Sequence, residues 1–191
     1  ADTLKQMEGH VGKTMSLFPL ETEFDSIGYG CTSGSLHIGG DKIKQLIAAE
    51  RLTKSVSNPL WSALAAFDAV GAKNIAYLGP YSEKVCAGMI DHFVQAGVNV
   101  SASASYDEVE DRFVGRISPQ SIKRDAIELV NDNPQVEAVF ISCTNMKCAH
   151  VIPEIEKQTG KVAISSNLAL AWHMARSIGL TLGGDKGKLC R

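Results

Sequence analysis

The sequence has few aromatic residues, no excess of basic residues and no long hydrophobic run. Aromatic residues make up 6% of the 191 residues, and 19 Lys and Arg residues face 21 Asp and Glu residues, for a formal net charge of −2. Nucleic acids and anionic membrane surfaces attract clusters of basic residues, which this sequence lacks, so we predict neither as a partner. No apolar run approaches the roughly 18 residues needed to span a bilayer.

The cysteines are odd in number, which does not suit the paired disulfides of a secreted domain. Five cysteines fit a reducing compartment better, and the opening segment mixes both signs of charge, unlike a signal peptide. We therefore predict a cytoplasmic protein. Hydrophobic residues make up 45% of the chain, so it can bury one sizeable core or the cores of two small lobes that share a cleft.

Helical periodicity alternates with short apolar runs along the chain. Helices are predicted near residues 1–15, 40–52, 59–70, 83–96, 119–132, 149–159 and 168–178, and strands near 24–30, 54–57, 74–79, 98–105, 136–142 and 161–166. This alternation is typical of βα units around a mostly parallel sheet. We therefore predict an α/β fold.

An internal repeat is the most informative feature of the sequence. Residues 25–32 (Asp-Ser-Ile-Gly-Tyr-Gly-Cys-Thr) and 137–144 (Glu-Ala-Val-Phe-Ile-Ser-Cys-Thr) both run from an acidic residue through an apolar strand to Cys-Thr. Further on, residues 56–58 (Val-Ser-Asn) and 165–167 (Ser-Ser-Asn) each end a strand and open a helix that carries a tryptophan. Two matches in the same order indicate duplicated lobes; chance similarity between two βα units is the alternative.

The repeat predicts two pseudo-symmetric lobes, each a short, mostly parallel sheet flanked by helices. We assign residues 1–58 and 166–191 to the first lobe and residues 59–165 to the second, with the active site in the cleft between them. In an open parallel sheet, ligands bind beyond the carboxyl ends of the strands. Both Cys-Thr pairs are predicted to lie there.

Two cysteines at these positions suggest a specific chemistry. If the lobes face each other, Cys31 and Cys143 meet from opposite sides of one cleft. A thiolate can then remove the proton of a stereocentre next to a carboxylate while a thiol delivers a proton to the other face. A helix N-terminus lowers the pKa of a thiol from about 8.5 and also binds carboxylates. Packing as small buried hydrophobic residues is the alternative role for both cysteines.

Polar residues near the predicted strand ends supply donors for a carboxylate. They could also cap the following helices or anchor a turn. The candidate substrate-binding residues are Thr32, Ser33, Tyr81, Ser82, Thr144 and Asn145.

Cofactor and metal signals are weak. The glycines at 28, 30 and 34 have one residue too many before the third glycine for a dinucleotide fingerprint. Cys143, Cys148 and His150 have no second ligand pair with conventional zinc spacing. We therefore predict no cofactor and no metal.

Five motifs together resemble one superfamily. They are residues 29–34 (Tyr-Gly-Cys-Thr-Ser-Gly), 79–82 (Gly-Pro-Tyr-Ser), 116–119 (Arg-Ile-Ser-Pro), 142–145 (Ser-Cys-Thr-Asn) and 165–173 (Ser-Ser-Asn-Leu-Ala-Leu-Ala-Trp-His). The sequence resembles the aspartate/glutamate racemase superfamily, and within it the maleate isomerase and arylmalonate decarboxylase branch, especially the racemase-like proteins of ectoine-utilisation gene clusters. The resemblance spans essentially the whole chain.

The resemblance implies a cofactor-independent, metal-free enzyme that acts on a small carboxylate, with Cys31 and Cys143 as its catalytic pair. Tyr81 matches the carboxylate-binding tyrosine of the family. Arylmalonate decarboxylases keep one of the two cysteines, so the presence of both favours an isomerase or racemase over a decarboxylase. The resemblance also implies a homodimer.

Two departures from the family pattern bear on activity. The chain is expected to lack the N-terminal strand and helix of the first lobe, and Asp107 stands where the family is expected to have an asparagine. A carboxylate there would favour a cationic group, as in an amino acid, over a plain dicarboxylate. The alternatives to an isomerase are a non-catalytic carboxylate-binding protein, an inactive truncated relative, and a cysteine hydrolase that uses His37 or His150.

Overall fold

The structure is a computed structural model that describes residues 2–191, so Ala1, within the predicted helix at 1–15, lies outside it. The helices are α1 (Asp2–Met15), α2 (Thr32–Ile38), α3 (Gly40–Ala48), α4 (Pro59–Val70), α5 (Glu83–Gln95), α6 (Asp111–Val114), α7 (Pro119–Asn131), α8 (Ile152–Thr159) and α9 (Ser166–Ser177). The strands are β1 (Ile27–Gly28), β2 (Val56–Ser57), β3 (Asn74–Gly79), β4 (Asn99–Ser105), β5 (Ala138–Ile141) and β6 (Val162–Ser165). None of the helices in this described part of the chain is long and apolar enough to cross a membrane.

The strands form two parallel sheets. One contains four strands in the order β4-β3-β5-β6, and the other contains β1 and β2. Every pairing within both sheets is parallel. Since a parallel pair needs a crossover connection, helices join the strands and cover the sheets. The predicted α/β fold with two sheets is confirmed.

The elements of the smaller sheet differ most from the prediction. The strand predicted at 24–30 is reduced to the two residues of β1, preceded by a single bridge between Phe24 and Thr53. A helix that the periodicity did not predict, α2, precedes α3. Gly39 separates the two helices with a φ of +87°, a conformation that glycine adopts without strain. The sequence missed α2 because its residues, Thr-Ser-Gly-Ser-Leu-His-Ile, carry little helical periodicity.

Strand register shows how the two halves of the repeat superpose. Ile27 pairs with Val56 in the smaller sheet, and Val139 pairs with Ala163 in the larger sheet. Since Ile27 and Val139 are equivalent in the repeat, Val56 corresponds to Ala163. The downstream match of residues 56–58 with 165–167 is therefore wrong by two residues.

Helix capping agrees with this corrected alignment. Asn58 caps α4 by accepting hydrogen bonds from two backbone N–H groups of its first turn, and Ser165 caps α9 by accepting one from Leu168. The two caps are equivalent in the corrected register. Trp61 is then the third residue of its helix and Trp172 the seventh, so the two tryptophans occupy different turns.

Two hydrophobic clusters support the two sheets. The larger cluster surrounds β3, β5 and β6 and centres on Phe67, Phe93 and Phe140, whose rings meet edge to face at 5.3–5.6 Å. The smaller cluster joins α1 and α3 to the small sheet and consists of Val11, Met15, Ile27, Ile43, Ile47 and Val56. Each Cys-Thr motif thus follows a strand with its own packed support. The lobe boundaries at 58/59 and 165/166 stay a prediction.

One edge of β1 is open within residues 2–191. There β1 pairs with β2 alone, whereas β5, its equivalent in the larger sheet, pairs with both β3 and β6. An apolar cavity of about 270 Å³ lies between α1 and β1, and Leu17 and Leu20 nearby in the chain are about 80% exposed. Unpaired backbone groups of an edge strand favour association with a further strand.

Candidate active site

Cys31 lies between β1 and α2 and is the N-cap residue of that helix. Its thiol sulfur accepts a hydrogen bond from the backbone N–H of Gly34 at 3.3 Å, and the hydroxyl of Ser33 lies 3.7 Å from the same sulfur. The side chain is partly exposed. Donors of this kind stabilise a thiolate more than a thiol, so the site is suited to a reactive cysteine.

Cys143 follows β5 in a strained conformation. Its φ is +91°, which a residue with a side chain rarely adopts. Its backbone N–H donates to the hydroxyl of Ser166 at 3.1 Å, and its sulfur accepts from the N–H of Asn145 at 3.4 Å. Strain of this kind persists only where the surroundings fix it, and it concentrates at functional sites.

Hydrogen bonds join the two Cys-Thr motifs directly. The Thr144 hydroxyl donates to the carbonyl of Gly30 at 2.9 Å. The buried Thr32 hydroxyl donates at 3.0 Å to the hydroxyl of Ser166, which also accepts the N–H of Cys143. Cys31 and Cys143 are 112 residues apart in the sequence. These hydrogen bonds hold their motifs side by side.

The environment of Cys143 favours its protonated form. Burial of the side chain, which is 6% exposed, raises the pKa of the Cys143 thiol. Hydrogen bonds from the Tyr81 hydroxyl and from the backbone of Asn145 lower this pKa in part, while the negative charges of Asp111 and of the Cys31 thiolate raise it. Cys143 is thus a thiol near neutral pH, and a charge on one cysteine disfavours a charge on the other.

Tyr81 lies beside Cys143 at the end of β3. Burial raises the pKa of Tyr81 far above its usual range, and the nearby Cys143 thiolate raises it further. The hydroxyl therefore remains a donor at all ordinary pH values. Its backbone carbonyl accepts from Ser105 and from the Cys86 thiol, which fix the turn. Ser82 is the N-cap residue of α5, yet its hydroxyl makes no capping hydrogen bond.

Asn145 holds the short helix α6 against the site. Its side-chain amide donates to the backbone carbonyl of Asp111 at 2.8 Å, and its side chain lies against Gly115. This contact places the Asp111 carboxylate close enough to Cys143 to raise the pKa of that thiol. The sequence drew attention to Asp107, an exposed residue with a φ of +50°, and missed Asp111.

The structure also involves residues that the sequence did not single out for the site. Ser166 connects both motifs, and its position at the start of α9 was visible only as part of the Ser-Ser-Asn match. Tyr29 precedes Cys31 by two residues, and burial together with the nearby Cys31 thiolate raises the pKa of Tyr29 to about 12. In the sequence, Tyr29 is notable only as the first residue of the motif at 29–34.

Histidines and metal ligands do not gather at this site. Within the described residues, the hydrogen bonds made by the two cysteines involve no histidine, and His37 and His150 are exposed. Across the same described part of the chain, no group of three or more His, Cys, Asp or Glu residues could hold a metal ion. Cys148 is buried, which raises its pKa to about 11.

Comparison of the sequence with known proteins identifies its relatives. A model of the arylmalonate decarboxylase family matches residues 25–189. A maleate isomerase of Geobacillus stearothermophilus is 28% identical over 114 residues, which are 58% of this chain and 44% of the relative. A maleate isomerase of Alcaligenes faecalis is 25% identical over 111 residues, 58% of this chain and 43% of that protein. The chain thus matches less than half the length of these relatives.

Solved structures share the fold at low sequence identity. The maleate isomerase Iso of Pseudomonas putida superposes with a TM-score of 0.88 at 20% identity, covering 99% of this chain and 79% of that one. A maleate cis-trans isomerase of Nocardia farcinica, a mutant with a covalently bound succinylcysteine intermediate, gives 0.82 at 17% identity, with 98% and 77% covered. Unliganded arylmalonate decarboxylase gives 0.80 at 16% identity, with 99% and 82% covered. Because the family model matches most of the chain, the chain belongs to the arylmalonate decarboxylase family, and with its sequence relatives it lies in the maleate isomerase branch of the aspartate/glutamate racemase-like superfamily.

Proposed function

We propose that the protein is a cofactor-independent isomerase or racemase of a small carboxylate, either a dicarboxylate or an amino acid, with Cys31 and Cys143 as its reacting groups. The observation that carries this proposal is the difference between two neighbouring thiols. The sulfur of Cys31 is partly exposed and accepts a backbone N–H, whereas Cys143 is buried with a raised pKa.

This difference assigns complementary roles. In cis–trans isomerisation, the Cys31 thiolate adds to one carbon of the double bond, and Cys143 gives its proton to the other carbon. Rotation about the new single bond follows. Cys143 then takes that proton back, and the carbon–sulfur bond breaks to release the isomer and the Cys31 thiolate. In racemisation, the thiolate removes an α-proton from one face and the thiol of Cys143 delivers one to the other.

The carboxylate-binding role of the neighbouring donors belongs to the same proposal. Tyr81 supports it best, since its hydroxyl stays protonated beside Cys143. Ser33 and Ser82 are partly exposed residues. Thr32 and Thr144 use their hydroxyls to join the motifs, so we assign their contribution to backbone N–H groups. The side chain of Asn145 donates to α6 and would reach substrate only if that contact opened.

The relatives favour isomerisation over the other candidates. The succinylcysteine of the Nocardia farcinica enzyme supports addition of a cysteine to a substrate double bond in this protein also. Decarboxylation is less favoured because both cysteines are present. A non-catalytic carboxylate-binding protein is the alternative. The open edge of β1 supports the proposed homodimer, and a cytoplasmic location stays a prediction.

The test combines conversion with isotope exchange. The protein is incubated in D₂O with maleate, other small dicarboxylates and amino acids, and NMR follows both isomerisation and α-deuterium incorporation. We expect turnover of one substrate class, lost in Cys31→Ala and in Cys143→Ala and retained in the control Cys190→Ala. Because the proposed reaction needs one cysteine as a thiolate and the other as a thiol, the pH–rate profile should be bell-shaped.

The contrary results are equally specific. Full turnover by both active-site variants would overturn the assignment of the cysteines. Binding of a carboxylate, measured by calorimetry, without conversion or exchange would establish the binding-protein alternative instead.

A further inference from the structure

We propose that Tyr29 is a positioning residue for Cys31, whose hydroxyl donates a hydrogen bond to the Cys31 thiolate in the reacting state. The inference deepens the proposed function and rests on it insofar as Cys31 reacts as a thiolate. It begins from an unpaired polar group. The Tyr29 hydroxyl is buried and has no hydrogen-bond partner among the described residues, and a buried hydroxyl without a partner is unfavourable.

The position of Gly34 shows that this hydroxyl faces Cys31. A methyl group added to Gly34 would collide with the Tyr29 hydroxyl and would also come within 3.1 Å of the Cys31 sulfur. Both groups therefore lie against the same side of Gly34. A side chain at this position would separate them, and the glycine leaves the space between the hydroxyl and the sulfur open.

The backbone around Tyr29 is well fixed. Its N–H donates to the carbonyl of Ser57 at 2.9 Å, which continues the ladder between β1 and β2. The sulfur of Cys31 is fixed in turn by the Gly34 N–H. Both groups are thus held beside Gly34, and in the reacting state Tyr29 would become a second donor to a sulfur that already has one.

Tyr29 remains a donor while Cys31 carries charge. Burial and the Cys31 thiolate raise the pKa of Tyr29 to about 12, so the phenol is protonated throughout the range in which a thiolate forms. A hydrogen bond to a charged acceptor is stronger than one between neutral groups. The hydroxyl therefore stabilises the thiolate more than the thiol.

The internal repeat makes this device specific to one cysteine. In the alignment of residues 25–32 with 137–144, Tyr29 corresponds to Ile141, whose side chain has no hydrogen-bond donor. Cys143 has the Tyr81 hydroxyl from another strand and lies buried. Tyr29 thus adds to the difference between the two cysteines a donor that Cys143 lacks at the equivalent position.

The test uses Tyr29→Phe, which keeps the ring and removes the hydroxyl. The rate of Cys31 alkylation by iodoacetamide is measured from pH 6 to pH 9 in a Cys143→Ala background, with the modified peptide identified by mass spectrometry. We expect alkylation at neutral pH to fall about tenfold, with the whole profile displaced to higher pH. The control is Tyr106→Phe, which removes a phenol bonded to Asp125 at 2.7 Å and should leave the profile unchanged.

A reciprocal measurement does not depend on the folding of Tyr29→Phe. Tyrosinate absorbance is titrated in the unmodified protein and in Cys31→Ala. Among the four tyrosines, we expect Tyr29 to titrate at lower pH in Cys31→Ala, because the neighbouring negative charge is gone. Tyr81, which the same charge affects, has a pKa too far above its usual range to contribute to the titration. Identical titrations would overturn the inference, as would an unchanged alkylation profile in a folded Tyr29→Phe.

Failure of this inference is distinguishable from failure of the proposed function. Alkylation and titration report on Cys31 whether or not the protein turns over a substrate. If neither cysteine variant affects turnover while the Tyr29→Phe profile moves, the proposed function fails and the contact stands. If both cysteines prove essential and the profile does not move, Cys31 reacts without help from Tyr29.

Discussion

The hydroxyl of Thr144 donates a hydrogen bond to the backbone carbonyl of Gly30 at 2.9 Å. Each residue adjoins one of the paired cysteines, so this single bond links the end of the four-stranded sheet to the end of the two-stranded sheet. Together with the contacts of Ser166, it holds the two Cys-Thr motifs side by side.

Removal of this link should weaken both stability and turnover. Thr144→Val keeps the volume of the side chain and removes its hydroxyl, so we expect the free energy of unfolding to fall by about 1 kcal/mol. Urea unfolding measures the loss, and Thr144→Ser, which keeps the hydroxyl, is the control. Equal stabilities of the two variants would show that the bond contributes nothing.

The charge of Asp111 should tune the thiol of Cys143. Asp111→Asn removes a negative charge that raises the pKa of Cys143, so this pKa should fall and Cys143 should be alkylated faster at a given pH. Tyr81→Phe should do the opposite, because it removes a hydrogen bond that lowers the same pKa. The measurement is the pH dependence of Cys143 alkylation in a Cys31→Ala background.

The matched control for this prediction is Asp107→Asn. It removes a carboxylate from the same loop region, and Asp107 is not among the groups that shift the pKa of Cys143. If Asp107→Asn lowered the pKa of Cys143 as much as Asp111→Asn does, the overall charge of the segment would be the cause. The position of Asp111, which the hydrogen bond from Asn145 fixes, would then not matter.

Burial of Cys148 should make stability depend on alkaline pH. Its pKa is raised from 9.0 to about 11 by burial. The folded state therefore favours the protonated thiol, and this contribution is complete below about pH 9 and lost as the pH rises through about 11. Between these limits the unmodified protein should lose about 2 to 3 kcal/mol that Cys148→Ala does not lose.

Chemical denaturation at a series of pH values between 8 and 11 checks the prediction. The quantity to compare is the slope of unfolding free energy against pH, since Cys148→Ala also loses packing at every pH. Parallel slopes for the two proteins would contradict it.

The aromatic centre of the larger core should dominate global stability. Phe140 is fully buried on β5 and contacts Phe67 and Phe93 edge to face. Phe140→Ala should lower the free energy of unfolding by about 3 to 5 kcal/mol. Phe140→Leu, which fills most of the space, should cost less, as measured by thermal or urea unfolding. A loss below 1 kcal/mol for the alanine variant would mean that the core around Phe140 collapses to fill the cavity.

Local sequence determined most of the secondary structure of the larger sheet. The predicted strands near 74–79, 98–105, 136–142 and 161–166 agree with β3 to β6. Short apolar runs mark the buried strands β3, β5 and β6, whereas residues of β4 alternate between exposed and half-buried. The sequence also placed both Cys-Thr motifs after strands, since strand and motif are contiguous. Prediction was poorer in the smaller sheet, where β1 and β2 have two residues each and leave little periodicity to read.

Tertiary structure alone decided how the site is assembled. The bond from Thr144 to Gly30, the sharing of Ser166 between both motifs and the approach of Asp111 to Cys143 join residues far apart in the chain. No local pattern encodes such contacts, because they depend on the packing of whole helices and sheets. The sequence by itself determined which thiols were present and on which elements; packing made one buried and strained and left the other partly exposed, since burial is a property of the assembled fold.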